Sequence, residues 1–225
     1  MLAHQGFALD CKPNTLEAFS AALAAGADYI ETDAHGTRDG VAVLFHDDEI
    51  NGVRIGTLLK SELPDYIPTL SSALTTFPHT KFNIDIKNVE ASVPVASEIR
   101  AHSAQERVLL TSFDNSRRKR TMELAPGTAS SPAVSEFGPA LLAALLGQQW
   151  LVNRKLTGFD AVQIPARVMG INIVSKRLVK IYHTAGVKVH VWTINDPEVM
   201  VNLKIAGVDG VVTDRTDLAV RALKS

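Results

Sequence analysis

Cys11 is the only cysteine in 225 residues, so no internal disulfide can form and no thiolate cluster can hold a metal. Any ion would have to be bound by oxygen or imidazole ligands. Long hydrophobic runs are missing too: stretches such as Leu141 to Leu146 fall far short of the roughly 18 residues that a bilayer crossing needs, so no stable membrane insertion is expected. Neither sign of charge is in excess. The formal net charge is −1, which supplies none of the basic field that holds a phosphate backbone, so a nucleic-acid partner is not expected. The first residues carry neither the charged region nor the apolar region of a secretory signal, and the expected location is therefore the cytoplasm. No GxGxxG or Walker phosphate loop occurs, nor a GxSxG serine elbow. The basic run Arg117 to Arg120 reads as the solvated face of a helix start.

What is present has the character of a folded α/β protein. The chain is 46% hydrophobic and 21% charged, and its length suits one barrel domain spanning residues 1–225. Short β-branched runs alternate with helical patterns, the signature of βαβ units and a parallel sheet. The strands predicted are Leu2–Gly6, Tyr29–Asp33, Phe82–Ile86, Val108–Ser112, Thr128–Ser131, Ala161–Ile164, Lys188–Trp192 and Gly210–Thr213. Helices are predicted near Thr15–Ala25, Thr69–Phe77, Ala91–His102, Ser116–Leu124, Glu136–Lys155, Ser175–Ala185, Pro197–Ala206 and Asp217–Leu223. Eight strands, each followed by a helix, can close into a single TIM (β/α)8 barrel.

Val41–Phe45 also reads as a strand, yet it begins too soon after Asp33 for a parallel crossover, which takes a dozen residues or more. It must fold back as a β-hairpin extension after the second strand, with Asp39-Gly40 as its two-residue turn. That register sets Asp33 opposite His46, within about two residues. The long irregular stretch from Asp47 to Pro68 is expected to be a functional loop beside the mouth of the barrel.

Residues two apart on a strand share a face, so Glu31 and Asp33 point together, as do Asp85 and Lys87. These sit at the C-terminal ends of strands, where barrel enzymes build their sites, and neighbouring strands bring the three acids together. Close carboxylates cannot all stay ionised without a cation, and all-oxygen ligation points to Mg²⁺ or Ca²⁺. Lys87 adds a charge suited to a phosphate oxygen. His4, near the end of the first strand, and His46, delivered by the hairpin, suit acid–base catalysis. Trp192 ends a strand near the mouth and can wall a substrate or pack. His190 is expected inside the barrel as a packing residue, and His35, His79, His102 and His183 are expected to face solvent.

These motifs resemble those of the glycerophosphodiester phosphodiesterase family. The chain carries "HQG" at 4 to 6, "KPNT" at 12 to 15, "IETD" at 30 to 33, "TRDG" at 37 to 40, "HD" at 46 and 47, "IPTL" at 67 to 70, "DIK" at 85 to 87, and closing segments "VHVWTIND" and "GVDGVVTD". Single motifs are weak; their order and spacing are specific. The resemblance implies a barrel enzyme that splits glycerophosphodiesters into glycerol 3-phosphate and an alcohol, with His4 and His46 as the acid–base pair and Glu31, Asp33 and Asp85 around a divalent cation. It also implies Lys87 near the phosphate, and with Gln5, at a position where the family has a phosphate-binding side chain, and Trp192 at the mouth this makes the expected substrate-binding set. Three positions depart from the family pattern. Gln5 stands where the family has Arg, which removes a fixed charge and a bidentate donor; Asp85 stands where it has Glu, one methylene longer; and Pro13 replaces the Glu of the second motif. The segment after His46 is also short, which would leave the mouth more open. Two alternatives stay open: a degenerate barrel that binds a phosphorylated ligand without turnover, and an enzyme of the lysophospholipase D type. Nothing in the sequence speaks to the oligomeric state.

Overall fold

The computed structural model describes residues 1–224, and eight parallel strands in it form a nearly closed barrel. In chain order they are β1 (Leu2–Ala3), β2 (Tyr29–Gly36), β3 (Lys81–Ile86), β4 (Val108–Thr111), β5 (Ala129–Ser130), β6 (Ala161–Pro165), β7 (Lys188–Trp192) and β8 (Gly210–Thr213). Their order around the wall is β5-β4-β3-β2-β1-β8-β7-β6. The seam between β5 and β6 is bridged by Asp160: its backbone N–H donates to the Ser130 carbonyl at 2.9 Å, and its Oδ2 accepts from the Ser130 N–H at 2.8 Å.

The outer ring consists of α1 (Leu16–Ala25), α2 (Leu70–Thr76), α3 (Ser92–Ala101), α4 (Asn115–Leu124), α5 (Val134–Leu145), α6 (Gln149–Leu156), α7 (Lys176–Thr184), α8 (Pro197–Ala206) and α9 (Thr216–Lys224). Several start where a side chain satisfies a free backbone N–H, as Thr15 does for Ala18, Thr69 for Ser72 and Ser175 for Leu178. The single helix expected over Glu136–Lys155 is in fact α5 and α6. It breaks at Gly147, which turns with φ +71°, a conformation that costs glycine nothing.

Alternation along the strands divides the molecule into layers. On β3, Phe82, Ile84 and Ile86 face outward into the core beneath the helices, with Phe19, Ile30 and Leu110, which leaves Asn83 and Asp85 on the inward face. A second apolar cluster joins α5 to α8 with β6, β7 and β8, around Phe137, Tyr182, Val162, Val189 and Val191. The barrel interior is polar. Gln163 Nε2 donates to Asn83 Oδ1 at 3.0 Å and lies 3.3 Å from His190 Nδ1, so these side chains satisfy one another as buried polar groups must. His190 is therefore an interior residue, as expected, and the imidazole packs over Gly210, where a Cβ would lie 2.7 Å from its ring.

The hairpin is present, with Ala42–Leu44 antiparallel to β2, but its register is one residue from that expected: His35 pairs with Val43 and Asp33 accepts from the Phe45 N–H at 3.0 Å. The loop holds three residues instead of two, because Gly40 takes the left-handed position (φ +77°) that closes a three-residue turn. Expectations for three other segments also change. β1 stops at Ala3, since Gln5 and Gly6 both have positive φ and turn the chain. Residues 47–68 line no part of the main cavity. They fold into a small hairpin and short turns, with Ile55, Leu63 and Ile67 buried against Val43. In the basic run, Lys119 and Arg120 are exposed, but Arg118 is buried and bonded to Glu136 and Asn115.

Candidate active site

A cavity of about 450 Å³ opens at the C-terminal ends of the strands, and His4, Glu31, Asp33, His46, Asp85 and Lys87 line it together. The parallel register sets Asp33 beside Asp85 on adjacent strands, with Glu31 one inward position below. All three carboxylates are buried.

Lys87 follows β3 and reaches across to both strands, with its Nζ 2.9 Å from Asp33 Oδ1 and 2.8 Å from Asp85 Oδ2. Burial alone would lower the Lys87 pKa, but Asp85 and Asp33 outweigh it and hold the ammonium above its ordinary range. The other Asp33 oxygen accepts from Gln5 Nε2 and Asn14 Nδ2, each at 3.0 Å. Glu31 accepts from the Gln5 backbone N–H at 3.1 Å. Burial, reinforced by the neighbouring Asp33, pushes the Glu31 carboxyl up to about 8. Burial likewise raises Asp85, whose Oδ1 has no hydrogen-bond partner among the described residues.

The two histidines are held differently. His4 Nδ1 lies 2.6 Å from Asp214 Oδ1, which turns Nε2 toward Glu31, 3.9 Å from its Oε2. Burial would lower the His4 pKa; the Asp214 hydrogen bond and the charges of Glu31, Asp214 and Asp33 reverse this and raise it. His46 is half exposed, and its Nδ1 pairs with Asp47, the next residue, at 2.8 Å. Beneath it lies His35, which was expected to face solvent but is fully buried, with Nε2 3.4 Å from the His46 carbonyl. Burial lowers the His35 pKa.

Trp192 lines the cavity and meets Phe113 edge to face, with ring centroids 6.3 Å apart. With Val134, Phe137, Leu141 and Ile173 these rings make the far wall apolar. Gln5 is not part of the wall; its amide is taken up by Asp33. Sequence reasoning missed Asn14, Asn195 and Asp214. Asp214 could have been found by the rule that singled out Asp33 and Asp85, an acid at the C-terminal end of a barrel strand.

Among the described residues no three histidine, cysteine, aspartate or glutamate side chains stand close enough to enclose a metal as placed. The chemistry of the set still fits a hard cation. Burial raises the pKa of Glu31 and Asp85, and Asp85 Oδ1 has no partner among the described residues, so a cation held there would favour their ionised forms.

A barrel with buried carboxylates, a lysine and two imidazoles at one mouth is built for phosphoryl chemistry, and the comparisons with known proteins agree. The profile of the glycerophosphoryl diester phosphodiesterase family matches residues 4–57 and 53–218, and the chain belongs to that family. It is 38% identical, over 96% of its own length and 88% of the relative's, to a probable glycerophosphodiester phosphodiesterase 2 of Mycobacterium tuberculosis. A glycerophosphodiester phosphodiesterase from Thermotoga maritima superposes with a TM-score of 0.77 at 26% identity, covering 98% of this chain and 96% of that one. An Oleispira antarctica phosphodiesterase in complex with the product sn-glycerol-3-phosphate shares the fold at TM-score 0.78 and 21% identity, covering 100% and 96%. The chain is accordingly a phosphoric diester hydrolase of the glycerophosphodiester class.

Proposed function

We propose that residues 1–225 act as one catalytic unit that hydrolyses small glycerophosphodiesters with His4 and His46 as the proton-transfer groups. The observation that carries this reading is that both imidazoles line the same cavity as Glu31, Asp33, Asp85 and Lys87. Lys87 offers its ammonium to a non-bridging phosphoryl oxygen. One histidine takes the proton from the attacking hydroxyl, either water or the substrate's own 2-hydroxyl, and the other gives a proton to the leaving alkoxide as the phosphorus–oxygen bond breaks; where the 2-hydroxyl attacks, water then opens the resulting cyclic phosphate, breaking its bond to O2 and returning a proton there, to give glycerol 3-phosphate. Glu31, Asp33 and Asp85 would hold Mg²⁺ or Ca²⁺, which when bound supplies a Lewis acid for the charge that builds on phosphorus-bound oxygen.

The test is release of glycerol 3-phosphate from glycerophosphocholine with Mg²⁺ or Ca²⁺ and with chelator. His4→Ala and His46→Ala should each lower kcat by about 10²-fold or more while the fold is kept. Full activity in both variants would overturn the mechanism, and no turnover by the wild type with either ion would leave the ligand-binding barrel as the better reading.

The apolar far wall favours a second reading, in which the substrate carries a hydrocarbon chain against Phe113, Phe137, Leu141 and Trp192, as in a lysophospholipid. A kcat/KM for lysophosphatidylcholine above that for glycerophosphocholine would select it.

A further inference from the structure

The structure assigns to Asp214 and Asn195 the setting of the His4 tautomer: Asp214 is a positioning residue that turns His4 Nε2 into the cavity, and Asn195 fixes Asp214. This deepens the reading above and rests on His4 being a proton-transfer group. The 2.6 Å contact joins His4 Nδ1 to a carboxylate oxygen, and a carboxylate can only accept. Nδ1 must therefore carry the hydrogen, which leaves the lone pair of neutral His4 on Nε2, the nitrogen facing Glu31. The second Asp214 oxygen accepts from Asn195 Nδ2 at 2.8 Å. Asn195 cannot flip, because its Oδ1 accepts from the Asp214 backbone N–H and from Thr213 Oγ1, each at 2.9 Å. The Asp214 N–H and the Thr213 hydroxyl thus fix which way the Asn195 amide points, and the Asp214 carboxylate, which can only accept, fixes the hydrogen on His4 Nδ1. His46 has no comparable support, since its partner Asp47 is its own neighbour and is 71% exposed.

The series predicts what a single amide exchange does. In Asp214→Asn the new side chain must present its carbonyl to Asn195 Nδ2, so its NH₂ faces His4. Nδ1 is then forced to accept, the hydrogen moves to Nε2, and the nitrogen at the cavity is no longer a base, as happens when a triad aspartate is made an amide. Adding Asn195→Asp reverses this. A carboxylate at 195 still accepts from the Asp214 N–H position and from Thr213, and it draws the new amide's NH₂ toward itself, returning the carbonyl to His4.

The experiment is long-range ¹H–¹⁵N correlation NMR of the full chain at a pH where His4 is neutral, with its signals assigned by their loss in His4→Ala, together with kcat and KM for glycerophosphocholine. Expected are an Nδ1–H tautomer in the wild type and an Nε2–H tautomer in Asp214→Asn, with kcat down by about 10²-fold or more and KM changed far less. Asn195→Asp with Asp214→Asn should restore Nδ1–H and recover at least about tenfold in kcat, short of the full loss. An Nε2–H tautomer in the wild type, which needs no variant to fold, would overturn the proposal, as would an Asp214→Asn protein with both tautomer and kcat unchanged. If His4→Ala is fully active while the tautomers behave as expected, the acid–base role of His4 fails and the positioning by Asp214 stands.

Discussion

Replacing Lys87 by methionine keeps most of the side-chain stem and removes the ammonium that lies 2.9 Å from Asp33 and 2.8 Å from Asp85. At those distances each contact is worth about 6 kcal/mol gross at an effective dielectric near 20. The cost of drying three charges offsets most of it, and removing one partner of a buried pair has a net cost of about 3–5 kcal/mol. Asp33 and Asp85 are only 2% and 5% exposed, so the buried figure applies. With an unfolding entropy of about 2.1 cal/mol/K per residue, the 225 residues convert that into a fall in Tm of about 6–11 °C. The pH dependence has a definite sign. Asp85 already has a raised pKa and would rise further without Lys87. A carboxyl that is harder to ionise in the folded state destabilises at high pH, and the deficit disappears as pH falls toward its unfolded value near 4. Urea and thermal unfolding followed by circular dichroism, in chelator at pH 7 and pH 5, should therefore show a deficit that is smaller at pH 5. A deficit below about 1 kcal/mol at pH 7, the range of an exposed ion pair, or one that grows at low pH, would refute the view of the site as a dry cluster of excess negative charge.

Burial depresses the His190 pKa to about 4 from an unfolded value near 6.5, so the protein should lose about 2 kcal/mol between pH 7 and pH 5 from this group alone, and somewhat more as pH falls to 4. The urea midpoint of His190→Gln should fall less over that interval than the wild type's, and parallel slopes would remove the assignment. Saturating Mg²⁺ or Ca²⁺ at a hundredfold over its dissociation constant should stabilise the folded chain by about 2.7 kcal/mol; the gain should vanish with chelator and shrink in Asp85→Asn, and no thermal shift with either ion would count against a carboxylate cation site. Gly6→Ala should cost at least about 2 kcal/mol, since φ is +86° and the new Cβ would lie 2.7 Å from the Ala18 carbonyl carbon; its loss of kcat should exceed that of an equally destabilised core variant, because Gly6 ends the turn that carries His4.

How much of this was legible in the sequence varies with the range of the interaction. The period-two pattern of "KFNIDIK" separates Phe82, Ile84 and Ile86 from Asn83, Asp85 and Lys87 without any knowledge of the partner strands, because a strand's two faces are set by local geometry. The same rule placed Glu31 beside Asp33, and Asp39-Gly40 announced the hairpin. Its exact pairing was not legible: a turn of two residues and one of three share the same Asp-Gly signal, and the left-handed Gly40 chose the longer. Arg118 and His35 look like surface residues in sequence, since a charged or titratable side chain is ordinarily solvated. Each is buried because a distant group receives it, Glu136 for Arg118 and the His46 carbonyl for His35.

Sequence alone located the eight strands of the wall and the acids Glu31, Asp33 and Asp85, for those follow from spacing within a few residues. Tertiary structure decided the partners. Barrel closure brings Asp214 to His4 across 210 positions of chain and joins Asn83 to Gln163 across 80. It also turns the Gln5 amide onto Asp33, a contact that no spacing within the first motif could show. The physical reason is that hydrogen-bond partners are chosen by where burial leaves a polar group unsatisfied, and that is known only once the wall has closed.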